Sequence, residues 1–261
     1  MPHLELSRPR PDIAVITLNL PDKLNALNHG LVEDLHRTLD ELNGDNDCRV
    51  VVLTGSGRGF CSGLDLTEPS PAEASGGLEF PRSGMRWQER IANLTTKLIR
   101  LRQPVIAAVN GPAYGGGFAL ALASDIRIAS QSARFCTQFI KLGLGGCDIG
   151  VSYTLPRIVG SGQAFDLILT ARTVEADEAL RIGLVSRVSV GSVVDDAMAI
   201  AETLCSYGKF GVESTKQVLW ANLEASSLEA ALQVENRSQI LSSTSGEMRD
   251  AAAAFASRRG R

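Results

Sequence analysis

Two glycine-rich stretches and one isolated acid hold the residue types able to do chemistry. Residues 110–121 read Asn-Gly-Pro-Ala-Tyr-Gly-Gly-Gly-Phe-Ala-Leu-Ala. The apolar run 104–109 before them has the pattern of a buried strand, and the small residues 118–124 after them that of a helix. Glycine there lets the backbone approach a ligand, and the first N–H groups of a helix have no internal partner. Such groups can hold a developing negative charge. Residues 55–66, Gly-Ser-Gly-Arg-Gly-Phe-Cys-Ser-Gly-Leu-Asp-Leu, follow another apolar strand. They offer a second backbone N–H, near Leu64, to the same pocket. This loop has neither GxGxxG nor GK[ST], so a dinucleotide or P-loop reading has no support. The plainer reading of each stretch is a close-packed turn.

The acid is Asp148, alone among apolar and small residues in Phe-Ile-Lys-Leu-Gly-Leu-Gly-Gly-Cys-Asp-Ile-Gly-Val-Ser, residues 139–152. A carboxylate in an apolar pocket has a raised pKa, which suits proton transfer near neutrality. The alternative is an N-cap for a helix starting near Gly150. Gln138, Tyr153 and Arg86 are polar residues within possible reach, each expected to be structural or at the surface.

These residues need elements to position them. Residues 4–6 and 13–18 predict an antiparallel hairpin with a polar loop at 9–12. Leu31, Leu35, Leu39 and Leu42 recur at helical spacing, with Gly44 ending the helix. Residues 49–54 predict a buried strand. Residues 68–83 lack periodicity and predict a mobile loop or lid. Residues 87–101 predict a helix with Ile91, Leu94, Leu98 and Leu101 on one face. Short strands are expected at 125–129, 133–136 and 184–188, and helices at 151–159, 162–169 and 174–182. From Val193 the pattern is almost entirely helical, and residues 257–261 are expected to be frayed. Strand, glycine turn and helix recur through the first half, which fits a spiral of ββα turns better than a doubly wound sheet.

A chain of 261 residues suits one large domain or one domain with an appendage. With 44% hydrophobic and 21% charged residues it can bury a sizeable core. A formal charge of −3 gives no sign of a nucleic-acid partner. No apolar stretch reaches membrane-span length, and the N-terminus lacks a secretory pattern. The five cysteines are odd in number and lack CxxC spacing, so no disulfide framework or zinc knuckle is indicated and a reducing cytoplasm is expected. The three histidines all fall in the first 36 residues, and His36 is expected at the surface of its helix.

Taken together, Lys23-Leu24-Asn25-Ala26-Leu27, Gly59 to Leu66, Asn110-Gly111 through Gly115-Gly116-Gly117, and Ala123 to Ala129 resemble the crotonase superfamily, the enoyl-CoA hydratase/isomerase family. Ala176-Asp177-Glu178-Ala179 followed by Gly183-Leu184-Val185 extends the resemblance over nearly the whole chain. It implies an α/β crotonase-like spiral of ββα units (1–195) and a C-terminal helical trimerisation region (196–261), giving homotrimers or hexamers. It implies an acyl-CoA thioester substrate, with no metal and no separate cofactor, since CoA is part of the substrate. The N–H groups of Leu64 and Gly116 would polarise the thioester carbonyl and hold its enolate. Donors so placed are worth ~3 kcal/mol or more. CoA would run along Lys23, Asn25 and Ala26 and along Cys61, Ser62 and Gly63.

The sequence departs from the hydratase pattern. The two glutamates of that branch fall at Ala119 and Phe139, neither of which can move a proton. Aligned from Leu155-Pro156-Arg157, Asp148 stands where enoyl-CoA isomerases, dienoyl-CoA isomerases and the chlorobenzoyl-CoA dehalogenase keep an acid. The leading expectation is an enoyl-CoA isomerase-type proton transfer by Asp148. The rivals are hydration of a 2-enoyl-CoA with water activated by Asp148 or by the 68–83 loop, a non-catalytic acyl-CoA-binding protein, and a hydrolase or dehalogenase with Asp148 as nucleophile.

Overall fold

A computed structural model describes residues 2–68, 81–249 and 252. Strands β1 (Leu4–Arg10) and β2 (Ile13–Leu18) form the antiparallel hairpin. β1 runs through Pro9, so the loop is shorter than the sequence suggests. Proline donates nothing to a ladder but is tolerated on an edge strand, and β1 is the edge. Helix α1 (His29–Gly44) follows, capped by the Asn28 side chain accepting from Leu31 N at 2.8 Å.

Next come β3 (Val50–Gly55), α2 (Arg82–Arg100) and β4 (Val105–Val109). Then come β5 (Pro112–Tyr114), α3 (Gly116–Leu122), β6 (Ile126–Ser130) and β7 (Arg134–Cys136). Helices α4 (Val151–Val159) and α5 (Ser161–Thr170) match expectation closely. The stretch expected as one helix at 174–182 is divided into β8 (Val174–Glu175) and α6 (Ala176–Arg181), because Val174 pairs with Phe135 in a sheet. β9 (Arg187–Ser189) and α7 (Val193–Cys205), α8 (Lys209–Asn222) and α9 (Leu228–Thr244) complete the described chain. The expected lid at 68–83 lies mostly outside the described residues; Arg82 and Ser83 open α2. The expected frayed end also lies outside them.

The larger sheet has the order β1-β2-β3-β4-β6-β9, parallel from β2 onward, and the smaller has the order β5-β7-β8. Successive side chains of a strand face opposite sides. Ala14, Ile16, Val51, Leu53, Val105 and Ala107 therefore meet α1, α2 and α3 in the main core. Ile13, Val15, Val50, Val52, Ile106 and Ile128 meet Val193, Ala197 and Ala201 of α7 on the other side. Both faces are covered, which is why the strands read as unbroken apolar runs. This is an α/β fold with two sheets and a helical C-terminal region, as the sequence resemblance implies. No helix among the described residues is long and apolar enough to cross a membrane.

α8 is tied to the sheet by a buried cation. Lys216 Nζ donates to Leu98 O and Gln103 O, both at 3.0 Å, and pairs with Asp125 Oδ2 at 2.9 Å. Trp220 Nε1, one turn on, donates to Asp125 Oδ1 at 2.7 Å. Burial depresses the Lys216 pKa, and Asp125 opposes that shift. A cavity of ≈ 710 Å³ opens beside this knot, lined by Pro104, Ile126 and Leu219 among others. It sits at the amino ends of β4 and β6, away from the glycine turns, so its size does not make it the site of chemistry. Asp125→Ala strands Lys216 without its partner and is expected to cost about 3–5 kcal/mol, read as a lowered midpoint in urea unfolding.

Candidate active site

Parallel strands β3 and β4 end side by side, and the two glycine loops leave from their carboxyl ends, where open α/β sheets commonly bind ligands. Asparagines stitch the loops together. Asn110 Oδ1 accepts from Gly55 N at 3.1 Å, and its Nδ2 donates to Gly57 O and Gly59 O at 3.1 Å each. Asn25 Nδ2 donates to Ser56 O at 3.0 Å and Gly59 O at 2.8 Å. Cys61 and Ala113 then form a parallel bridge, with Tyr114 N donating to Cys61 O at 2.9 Å and Cys61 N to Pro112 O at 3.1 Å.

This bridge needs backbone without side chains. A Cβ on Gly117 would lie 2.1 Å from Cys61 O. Gly63 has φ +94°, and a Cβ there would meet Tyr114 O at 2.9 Å and Gly116 N at 3.4 Å. The loops thus touch at Gly63 and Gly116. Leu64 bridges Leu27 through its neighbours: Leu27 N donates to Gly63 O at 2.7 Å and Asp65 N to Leu27 O at 3.1 Å. In such a bridge the N–H of Leu64 itself points to the other side. Gly116 is the first residue of α3, where an N–H is spare. Among the described residues neither N–H has a hydrogen-bond acceptor.

Both residues line one cavity of ≈ 100 Å³, which also takes in Gln88, Gln138, Asp148 and Ile149. Its inner wall is apolar, from Leu27, Ile91 and Phe139, all buried. Exposed Leu66, Leu142 and Leu144 form its mouth. Of the two positions that the resemblance matched to hydratase glutamates, Ala119 is 1% exposed and stands behind the lining, and Phe139 is part of the wall with its ring against Gly115.

Asp148 is half-buried at the edge of this cavity. Its carboxylate does not cap α4, whose N-cap is Gly150 with no side-chain acceptor. Oδ1 instead accepts from Ile149 N at 2.7 Å and from the Gln88 amide on α2. Oδ2 has no partner among the described residues. Burial raises the Asp148 pKa above the ordinary carboxylate range, and the two N–H donors offset part of that rise. Ile149 is held at φ 47°, a left-handed conformation that costs a branched residue roughly 1–2 kcal/mol. The surroundings enforce it: Thr95 of α2 donates its hydroxyl to Ile149 O at 3.0 Å, and Val151 N bonds Asp148 O at 2.9 Å. Backbone strain of this kind concentrates at functional sites.

The other expected residues are placed as follows. Lys23 pairs with Asp65 at 2.6 Å and remains half exposed. Asn25 and Cys61 are fully buried, backbone included, so they shape the loop from beneath and present no atom to a ligand; burial pushes the Cys61 thiol up to about 12. Ala26 is buried, and Ser62 donates to Lys23 O at 3.2 Å, which holds residues 23–26 and 61–63 together. Gln138 lines the cavity, whereas Tyr153 bonds Glu224 and stacks with Arg157, and Arg86 is exposed. His36 is buried rather than at the surface, because α2 covers α1 and His36 Nε2 meets Arg90 O at 2.8 Å. Two features were missed in the sequence. Gln88 lies sixty residues from Asp148 with no local signal. Glu68 bonds His29 N at 2.9 Å and Nδ1 at 2.6 Å, and the His29 ring stacks on Trp87 at 4.0 Å, next to Gln88.

Two spare N–H groups beside a lone carboxylate equip an enzyme to act next to a carbonyl. Comparison with known proteins identifies which enzymes these are. The family described as enoyl-CoA hydratase/isomerase matches residues 10–260. The probable enoyl-CoA hydratase echA12 of Mycobacterium bovis is 46% identical over 90% of this chain and 83% of its own. The crystal structure of a probable enoyl-CoA hydratase/isomerase from Mycobacterium abscessus is 40% identical, with TM-score 0.91 over 98% of this chain and 96% of that one. That of a monofunctional enoyl CoA isomerase from M. smegmatis is 39% identical, with TM-score 0.74 over 89% of this chain and 99% of that one. The chain belongs to the enoyl-CoA hydratase/isomerase family, the crotonases, enzymes acting on acyl-CoA.

Gly117→Ala is expected to break the Cys61–Ala113 bridge and cost about 1–3 kcal/mol in urea unfolding. Gly162→Ala, in α5 with open space around it, should be neutral or slightly stabilising.

Proposed function

We propose that the protein is an enoyl-CoA isomerase that moves a double bond from the 3- to the 2-position of an acyl-CoA. The observation that carries this reading is the lining of the cavity. Among its described residues Asp148 is the one carboxylate, and the two positions that would complete a hydrating pair are apolar and buried.

In this mechanism the thioester carbonyl sits between the N–H groups of Leu64 and Gly116. Ionised Asp148 removes a proton from C2 through its free Oδ2. The electron pair moves onto the thioester oxygen as an enolate conjugated to the C3–C4 double bond, and the two N–H groups hold that charge. Returning the proton to C4 shifts the double bond to C2–C3 and regenerates the carboxylate. No water is consumed, and the apolar wall excludes it. The CoA moiety runs past Lys23 and Ser62, which are exposed or partly so, over a floor formed by Asn25, Ala26, Cys61 and Gly63. Leu228, Ile240 and Leu241 are exposed on α9, which supports assembly of the chain into a homotrimer or paired hexamer through this region.

The names of relatives such as the M. bovis protein favour a second reading, hydration of a 2-enoyl-CoA. Incubation in D2O with 3-enoyl-CoA and, separately, 2-enoyl-CoA separates the two by mass. A moved double bond with no added water supports isomerisation. Gain of one water by the 2-enoyl substrate overturns it, and binding without conversion of either substrate would also sink it. Asp148→Asn is expected to abolish turnover with little loss of acyl-CoA binding. The base must be ionised, so kcat/KM should fall as pH drops through the raised Asp148 pKa. That limb is expected above the ordinary value of about 3.9, and a limb at or below it contradicts the assignment.

A further inference from the structure

We propose that Gln88 is the positioning residue of this site: from α2 it pins one oxygen of Asp148 so that the other is presented to the acyl-CoA. The inference rests on the reading of Asp148 as the proton carrier. Three observations converge on it. The Gln88 amide donates to Asp148 Oδ1, the oxygen already taken by Ile149 N, which leaves Oδ2 as the oxygen without a partner among the described residues. Gln88 lines the same cavity as Leu64, Gly116 and Asp148. Ile91 and Thr95 stand three and seven residues beyond Gln88, on the same face of α2. Ile91 joins the cavity wall, and Thr95 bonds the carbonyl of Ile149.

One helix face thus holds the acid and its strained turn at two points. Without Gln88 the Asp148 side chain is free to rotate about its two dihedral angles and exchange its oxygens. An amide suits this role because it donates without titrating, so it fixes the carboxylate without competing for the proton. Gln88 itself is exposed in the free protein, so its bond is modest until a bound acyl chain covers the cavity mouth and excludes water. The contact therefore matters most when the substrate is in place.

The test has one arm that needs no turnover. In protein carrying 13C-labelled aspartate, the Asp148 carboxyl resonance, assigned by its loss in Asp148→Asn, is titrated in wild type and Gln88→Leu. Loss of the donor should move its midpoint to higher pH; an unmoved midpoint in a variant with unchanged thermal unfolding overturns the contact. The second arm is kinetic. Gln88→Leu should lower kcat by about tenfold, the size expected for one charge-assisted hydrogen bond, with KM nearly unchanged and the acid limb shifted upward. Asp148→Glu lengthens one partner by a methylene and Gln88→Asn shortens the other. The double variant restores the span, so its retained fraction of wild-type kcat should exceed the product of the two single-variant fractions, and simple multiplication would overturn positioning. If Asp148→Asn keeps full turnover, the proton-transfer reading fails by itself, whatever the titration shows.

Discussion

The site depends on a single close approach of backbone to backbone, the bridge between Cys61 and Ala113. It forces the loop after β3 against the loop after β4, and both N–H groups facing the cavity follow from it. Gly117 lets the start of α3 pass over the Cys61 carbonyl, and Gly63 turns the chain back before it meets Tyr114. Asn25 and Asn110 brace the loop from below by satisfying the carbonyls of Ser56, Gly57 and Gly59. A buried carbonyl such as that of Gly59 would be costly without a partner, so these asparagines help fix the loop's path. On the proposed reading, an anion site built this way is fixed before any ligand arrives, and such preorganisation is what gives donors their strength.

The acid is held by a different logic. The bridge is regular ladder geometry, whereas the Asp148 turn is strained at Ile149 and kept in place by α2. Helix α2 thus connects the two halves of the site. Its Ile91 side chain packs the cavity wall, its Thr95 hydroxyl holds the turn, and Trp87 stacks on His29, which binds Glu68 beyond the Leu64 loop. A shift of α2 would move the acid relative to the N–H pair, so packing along α2 bears directly on their alignment.

Much of this was legible in the sequence, for local reasons. The strands were readable because both sheet faces are buried and their apolar runs are continuous. The N–H loops were readable because close backbone approach demands glycine, and glycine clusters are visible in a string. Asp148 stood out as one acid in an apolar stretch. What escaped was non-local or contrary to propensity. β5 and β8 are three and two residues long and exist by pairing with β7 and, for β5, with Cys61. Nothing local predicts a β-branched residue in a left-handed conformation. His36 looked like a surface residue because only the packing of α2 on α1 buries it. Gln88 is one ordinary residue on a polar helix until the fold brings Asp148 beside it.

The division of labour between backbone and side chain explains how the chemistry can be read despite the missing glutamates. On the proposed reading, enolate stabilisation is carried by main-chain N–H groups; it does not depend on the side chain at 64, whereas a side chain at 116 would crowd the cavity wall, its Cβ 2.8 Å from Leu27 Cδ1. Proton handling is carried by side chains and can be relocated by a single substitution. Here alanine and phenylalanine stand at 119 and 139, Phe139 adding to the apolar wall of the cavity, and Asp148 on the 148–150 turn is the one carboxylate among its described lining residues. By the same reading, an apolar wall beside the N–H pair disfavours adding water to a double bond more than moving a proton along it. Burial raises the pKa of Asp148, and a raised pKa suits a carboxylate to proton transfer near neutrality.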